Sequence, residues 1–188
     1  MNTTLQISTT EKGNPSLLLF SNFFSVLNSF APFHKIRELV SDQSQSKTLH
    51  LIITDDDSDD QELFSMAISE ISNNIKISLA ENGSDLIKML QEKELPDLIF
   101  LDLNMPGMNG IECLMKIRNN PKSAGLPVLI YSTSANPEQI DEAYNHGANY
   151  YLQKPCSYRD IQNLVSKVFA LSVDQLLNQP ERADFLVR

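Results

Sequence analysis

Acids, a hydroxyl and a lysine stand where the apolar runs of this chain stop. Ile99-Phe100-Leu101 leads straight into Asp102, and Pro106-Gly107 then turns the chain. Leu51-Ile52-Ile53 leads in the same way to Asp55-Asp56-Asp57, Val128–Tyr131 to Ser132, and Tyr150–Gln153 to Lys154, just before Pro155. A short apolar run bounded by turn residues suits a strand buried on both faces, with its carboxyl end carrying the polar group outward. Acids gathered in one crevice repel one another unless a cation compensates. All-oxygen ligation with no Cys or His nearby favours Mg²⁺ over zinc. A carboxylate can also act as a nucleophile toward phosphorus. Such transfer needs little beyond positioning and neutralisation of the phosphoryl oxygens. The expected chemistry is phosphoryl acceptance by Asp102 beside a Mg²⁺ ion, with Lys154 as a second cation and Ser132 as a hydroxyl donor.

The elements that must position these groups alternate. Leu49–Thr54 reads as a strand. It is followed by a helix from about Ser58 with Leu63, Phe64, Ala67, Ile68 and Ile71 at helical spacing. Ile75, Ile77 and Leu79 alternate as in a half-exposed edge strand, and a helix with Leu86, Ile87 and Leu90 inward opens at Gly83-Ser84. Asp97–Asp102 is the central strand, and Ile111, Leu114 and Ile117 mark the next helix. Pro127–Ser132 is a strand, Pro137–His146 a helix stopped by Gly147, and Asn149–Lys154 a last strand. Ile161, Leu164, Val165, Val168 and Phe169 make a closing amphipathic helix. This alternation predicts an α/β fold, a doubly wound five-stranded parallel sheet with helices on both faces. The common order 2-1-3-4-5 puts the switch point between strands 1 and 3, where ligands bind beyond the carboxyl ends. Those two ends carry Asp55/Asp56 and Asp102.

At this point the pattern resembles the receiver domain of two-component response regulators, in its single-domain, chemotaxis-type form. The matching segments are Ile53-Thr54-Asp55-Asp56-Asp57, Leu101–Gly110, Pro127–Ser132 and Gly147–Pro155, and the resemblance covers about residues 48–170. It implies a flavodoxin-like fold and Asp102 as phosphoacceptor. It also implies Asp56 as direct metal ligand, Asp55 acting through water, and the Asn104 backbone carbonyl as a further ligand. Lys154 is expected to bind the phosphoryl group, Ser132 to occupy the hydroxyl switch position in preference to Thr133, and Tyr151 the aromatic switch position. The implied partners are a histidine kinase or histidine phosphotransfer protein upstream and a protein target downstream. The implied role is that of a signalling phosphoprotein rather than an enzyme. Thr54, Asn109 and Cys156 depart from the family's habitual residues without touching the chemistry. The Lys154-Pro155 bond is cis in the family, whereas X-Pro bonds are mostly trans, so the sequence leaves it open.

Taken singly, each residue has a plainer explanation. Asp57, Asp59 and Asp60 suit the first turn of a helix, where the dipole favours acids. Tyr151 suits edge-strand packing, on the face opposite Tyr150 and Leu152. Lys154 alone would be a surface lysine. Other functions keep the fold but change the chemistry. A phosphorylation-independent receiver-like binding module needs no reactive acid. An aspartyl-phosphate phosphatase lacks its second Asp, since Asn104 stands there, and a flavin protein would need a phosphate-cradling loop where the acids Asp55–Asp57 lie.

The remaining composition bounds the surroundings. A net charge of −9 argues against non-specific nucleic-acid binding. Residues 1–47 form an expected arm and linker, with Phe20, Phe23, Phe24, Phe30 and Phe33 among Ser, Thr and Asn. Leu17–Leu27 is too short and too polar to span a bilayer. Residues 171–188 read as a tail, open between a short helix and loose chain, and too short for a DNA-binding output domain. Cys113 and Cys156 lack metal-ligand spacing, as expected of reduced thiols in a cytoplasmic protein.

Overall fold

The computed structural model describes residues 48–188. Residues 1–47, where an arm and linker are expected, lie outside the described residues. Strands β1 (Leu49–Thr54), β2 (Ile75–Ala80), β3 (Leu98–Leu101), β4 (Val128–Ser132) and β5 (Tyr150–Gln153) alternate with helices α1 (Ser58–Ser69), α2 (Gly83–Met89), α3 (Gly110–Asn119), α4 (Pro137–Asn145) and α5 (Tyr158–Phe169). A short helix α6 (Val173–Leu177), a 3₁₀ turn (Arg182–Asp184) and strand β6 (Leu186–Val187) complete the chain.

All strand pairs are parallel, in the order β2-β1-β3-β4-β5-β6. The sheet therefore has the expected winding plus a sixth strand, formed by two residues of the C-terminal tail. Period-two alternation divides the side chains between two cores. Leu51, Ile53, Phe100, Leu129, Tyr131 and Leu152 pack with the Phe64, Ile68, Leu164 and Val168 side chains of α1 and α5. Ile52, Ile99, Leu101, Ile130 and Tyr151 face the opposite layer with Leu86, Leu114, Ile117 and Ile140. Phe64 stacks on Tyr131 at 4.1 Å and meets Phe100 edge-on at 4.9 Å, joining α1 to β3 and β4. Burying a phenylalanine of this kind contributes about 1.5–3 kcal/mol.

Each helix start follows from a capping residue. Asp57, Asn82, Asn136, Ser157 and Ser172 accept backbone N–H groups of the first turns of α1, α2, α4, α5 and α6. Asn109 and Glu112 form a capping box at α3, which explains the unusual Asn at that turn.

Two residues of the expected α1 stripe are misplaced. Leu63 and Ile71 stand exposed, because the buried stripe runs through Gln61, Phe64, Ala67 and Ile68, and Ile71 lies beyond the helix end. A polar residue at a core position defeats a pattern built on apolar spacing. Gln61 is tolerated because its amide donates to the carbonyls of Asp55 and Ala80, both at 2.9 Å.

Candidate phosphoacceptor site

The parallel ladder aligns the strand ends that matter. Thr54 pairs with Leu101, so the residues that follow, Asp55 and Asp102, emerge side by side at the crevice between β1 and β3. The Asp102 N–H donates to the Thr54 carbonyl at 2.9 Å and locks that register. Asp102 is buried, and its two oxygens have different surroundings. Oδ1 accepts the Leu103 N–H at 2.7 Å, while Oδ2 lies 3.5 Å from Lys154 Nζ.

The loop after Asp102 turns at Gly107, whose φ of 82° suits glycine. Helix α3 then begins hard against the site. A Cβ on Gly110 would come within 2.2 Å of the Asp102 carbonyl oxygen, so this approach requires glycine.

Carboxylate oxygens of Asp55, Asp56 and Asp102 lie within 4.8 Å of one another. Asp55 and Asp102 are buried and Asp56 is exposed. Burial raises the Asp55 carboxyl above its ordinary value, against the hydrogen bond from Lys154. Repulsion from the neighbouring Asp102 adds to the rise. A hard cation is the compensation that an all-oxygen donor set of this size accepts, so the residues fit Mg²⁺.

Lys154 supplies the positive charge already present. Its ammonium bonds Asp55 at 2.6 Å and Asp60 at 2.8 Å. Burial works against its charged form, yet the hydrogen bonds to Asp55 and Asp60 and the field of Asp102 hold its pKa above the ordinary lysine value. Tyr131 lines the approach, with its ring centroid 5.4 Å from Nζ. The Lys154-Pro155 peptide is trans.

Ser132 is fully buried and Thr133 exposed, which favours Ser132 as the internal hydroxyl. Its Oγ accepts from the Asn104 side-chain amide at 3.2 Å and from the Ser134 N–H at 3.4 Å. Tyr151 is fully buried, and its hydroxyl donates to the Ser134 carbonyl at 2.9 Å.

The structure thus brings Asp55, Asp56, Asp102 and Lys154 together, and links Ser132 to the Asn104 side chain and, through Ser134, to Tyr151. Asp60, Gln61 and the Asn104 side chain were missed as parts of the site. Asp60 occupies the first turn of α1, as its position after Asp57 leads one to expect. Its reach to Lys154 spans 94 residues of sequence, so no local spacing could have shown it.

The model of the response regulator receiver domain matches residues 51–166. This chain belongs to that family. The receiver is 30% identical over 119 residues to "Two-component response regulator ORR8" of Oryza sativa subsp. indica, covering 63% of this chain and 97% of that protein. It is 32% identical over 124 residues to "Chemotaxis protein CheY-3" of Vibrio cholerae serotype O1, covering 66% of this chain and 94% of the relative. Among solved structures, the phosphorylated cyanobacterial phytochrome response regulator RcpA superposes on the receiver with a TM-score of 0.61 at 25% identity, over 64% of this chain and 90% of that one. The Francisella response regulator 1452 receiver domain does so with a TM-score of 0.54, also at 25% identity, over 64% and 96% of the two chains. Receiver architecture and membership in the response regulators of two-component signalling follow. No helix among the described residues is long and apolar enough to cross a membrane.

Proposed function

We propose that this receiver is the phosphoacceptor of a two-component phosphorelay, taking a phosphoryl group from a phosphohistidine onto Asp102. One observation carries the reading: a buried carboxylate at a strand end, 3.5 Å from the Lys154 ammonium, with Asp55 and Asp56 close enough to share a cation with it.

In the transfer, Asp102 Oδ2 forms a bond to phosphorus as the P–N bond to the donor imidazole breaks. The imidazole leaves with the electron pair and takes a proton from solvent. Lys154 stabilises the charge on the transferred oxygens, a task that needs a positioned cation rather than covalent help. Asp55, Asp56, Asp102 and the Asn104 carbonyl are the residues to hold Mg²⁺, which when bound supplies further neutralisation of those oxygens. The Ser132 hydroxyl, buried beside Asn104, turns to donate to a phosphoryl oxygen. Tyr151 follows it, and the surface formed by α4, β5 and α5 is thereby biased between two states that a protein partner reads.

The partners of this reading are a histidine kinase or phosphotransfer protein and a downstream protein target, in the cytoplasm. The protein acts as a phosphoprotein rather than as an enzyme on a separate substrate. Its support is family membership together with the converged acid, hydroxyl and lysine set. Incubation with acetyl phosphate and Mg²⁺, followed by intact mass, tests it. The wild type should gain one phosphoryl group, with acetate released, and Asp102→Ala none. Equal labelling of the two proteins would reject Asp102 as the acceptor.

A further inference from the structure

Resting on the phosphoacceptor reading above, we propose that residues 172–188 form a latch whose docking onto β5 is coupled to phosphorylation of Asp102 through Tyr151 and Phe185. Docked latch and phosphorylated Asp102 favour the same inward position of Tyr151, so each strengthens the other.

The latch is built as a detachable segment. Of residues 172–188, Phe185 alone is buried, and neither α6 nor the 3₁₀ turn buries a side chain. Strand β6 has two residues, paired as Tyr151↔Leu186 and Leu152↔Val187. Leu176 and Val187 pack half-buried on one core and Leu186 on the other, and the remaining attachment is polar and partly exposed: Asn149 donates to the Leu177 carbonyl at 3.2 Å, Gln179 to the Ala148 carbonyl at 2.9 Å, and Arg182 to Asp141 at 2.7 Å. A segment with one fully buried side chain, a few half-buried ones and water-accessible hydrogen bonds opens at a lower free energy than the sheet beneath it.

The fully buried Phe185 rests on Tyr151, the expected switch residue. The Phe185 ring lies 6.3 Å from the Tyr151 ring and 5.1 Å from that of Tyr144 on α4, and the Phe185 carbonyl accepts the Tyr151 N–H at 2.9 Å. From there a continuous path reaches the acceptor loop. The Tyr151 hydroxyl bonds the Ser134 carbonyl, the Ser134 N–H bonds Ser132 Oγ, and Ser132 Oγ bonds the amide of Asn104, two residues beyond Asp102.

The sign of the coupling follows from position. Strand β5 would be the sheet edge without β6, and a tyrosine there would have an open side toward solvent. With the latch docked, Tyr151 is held fully inside. A phosphoryl group that draws Ser132 toward Asp102 leaves room behind it for the same inward ring. Two events that stabilise one conformation stabilise each other.

Hydrogen exchange of the full chain, with and without acetyl phosphate and Mg²⁺, reads the latch at the Tyr151 amide. Intact mass of the same samples reads the adduct. Phosphorylation should slow Tyr151 exchange by about fivefold or more. Phe185→Leu keeps an apolar side chain in the socket but loses the ring contact, and its Tyr151 amide should exchange faster and respond little to phosphorylation. An adduct on Asp102 without slowing at Tyr151 overturns the latch and leaves the phosphoacceptor reading standing. Absence of an adduct overturns both, because nothing remains to be coupled. Slowing of equal size at the Ile99 amide, which bonds the Pro127 carbonyl in the sheet centre, also overturns it, since the whole sheet would then be responding.

Discussion

Lys154 and Asp60 form an ion pair at 2.8 Å across the mouth of the site, although they are 94 residues apart in sequence. Asp60 therefore competes with Asp102, 3.5 Å away, for the same ammonium. Because Asp60 is partly exposed, the competition is worth no more than about 1 kcal/mol. Asp60→Asn should leave the fold intact and raise the yield of Asp102 phosphorylation by acetyl phosphate by up to about fivefold. The measurement is intact mass against time; a fall in yield would instead make Asp60 a helper of the transfer.

Arg118 on α3 ties two loops together. Its guanidinium donates to the carbonyls of Gly147, Ala124 and Leu126 and to the Asn149 side chain, at 2.8–3.1 Å. Lysine lacks the planar fork that reaches several acceptors at once. Arg118→Lys and Arg118→Ala should each lower unfolding free energy by about 2–4 kcal/mol, from carbonyls left without donors. Urea midpoints check this; a loss confined to Arg118→Ala would mean that charge alone suffices.

His50 gives stability a pH dependence of predictable sign. Burial, helped by the charge of Lys76, lowers its pKa below the ordinary 6.5. Between that value and the lower folded one the unfolded chain binds more protons, so stability is present above pH 6.5 and is lost as pH falls through this window. His50→Gln, which can still bond Ser78, removes the loss. Its urea midpoint relative to wild type should rise between pH 7 and pH about 5.5. A constant difference would show that the His50 proton is not linked to folding.

The two cysteines should differ in reactivity. Burial pushes the Cys113 thiol up to about 12, and its Sγ lies against the Gly83 carbonyl at 3.7 Å, whereas Cys156 is exposed. Thiolate is the reactive form. Iodoacetamide at pH about 8 should add once, on Cys156, with a second addition only in denaturant. Rapid native modification of Cys113 would show that α3 opens readily.

What the sequence alone determined is the part of the molecule written in local patterns. Apolar runs set the strands, helical spacing of apolar residues the helices, and the end of each run named Asp55, Asp56, Asp102, Ser132 and Lys154. A parallel doubly wound sheet leaves little freedom in where such strand ends go, so their convergence was legible from order alone. Tertiary structure decided everything that depends on partners distant in sequence. Gln61 entered the core because two carbonyls awaited its amide there, displacing Leu63 from the buried stripe. Asp60 reached Lys154, and the Asn104 side chain reached Ser132. The tail from Ser172 has too little periodicity to declare itself. It becomes a sixth strand only because β5 offers an open edge and Tyr151 and Tyr144 offer a socket for Phe185. A two-residue strand draws its stability from the surface it meets, and that surface exists only once the sheet has formed.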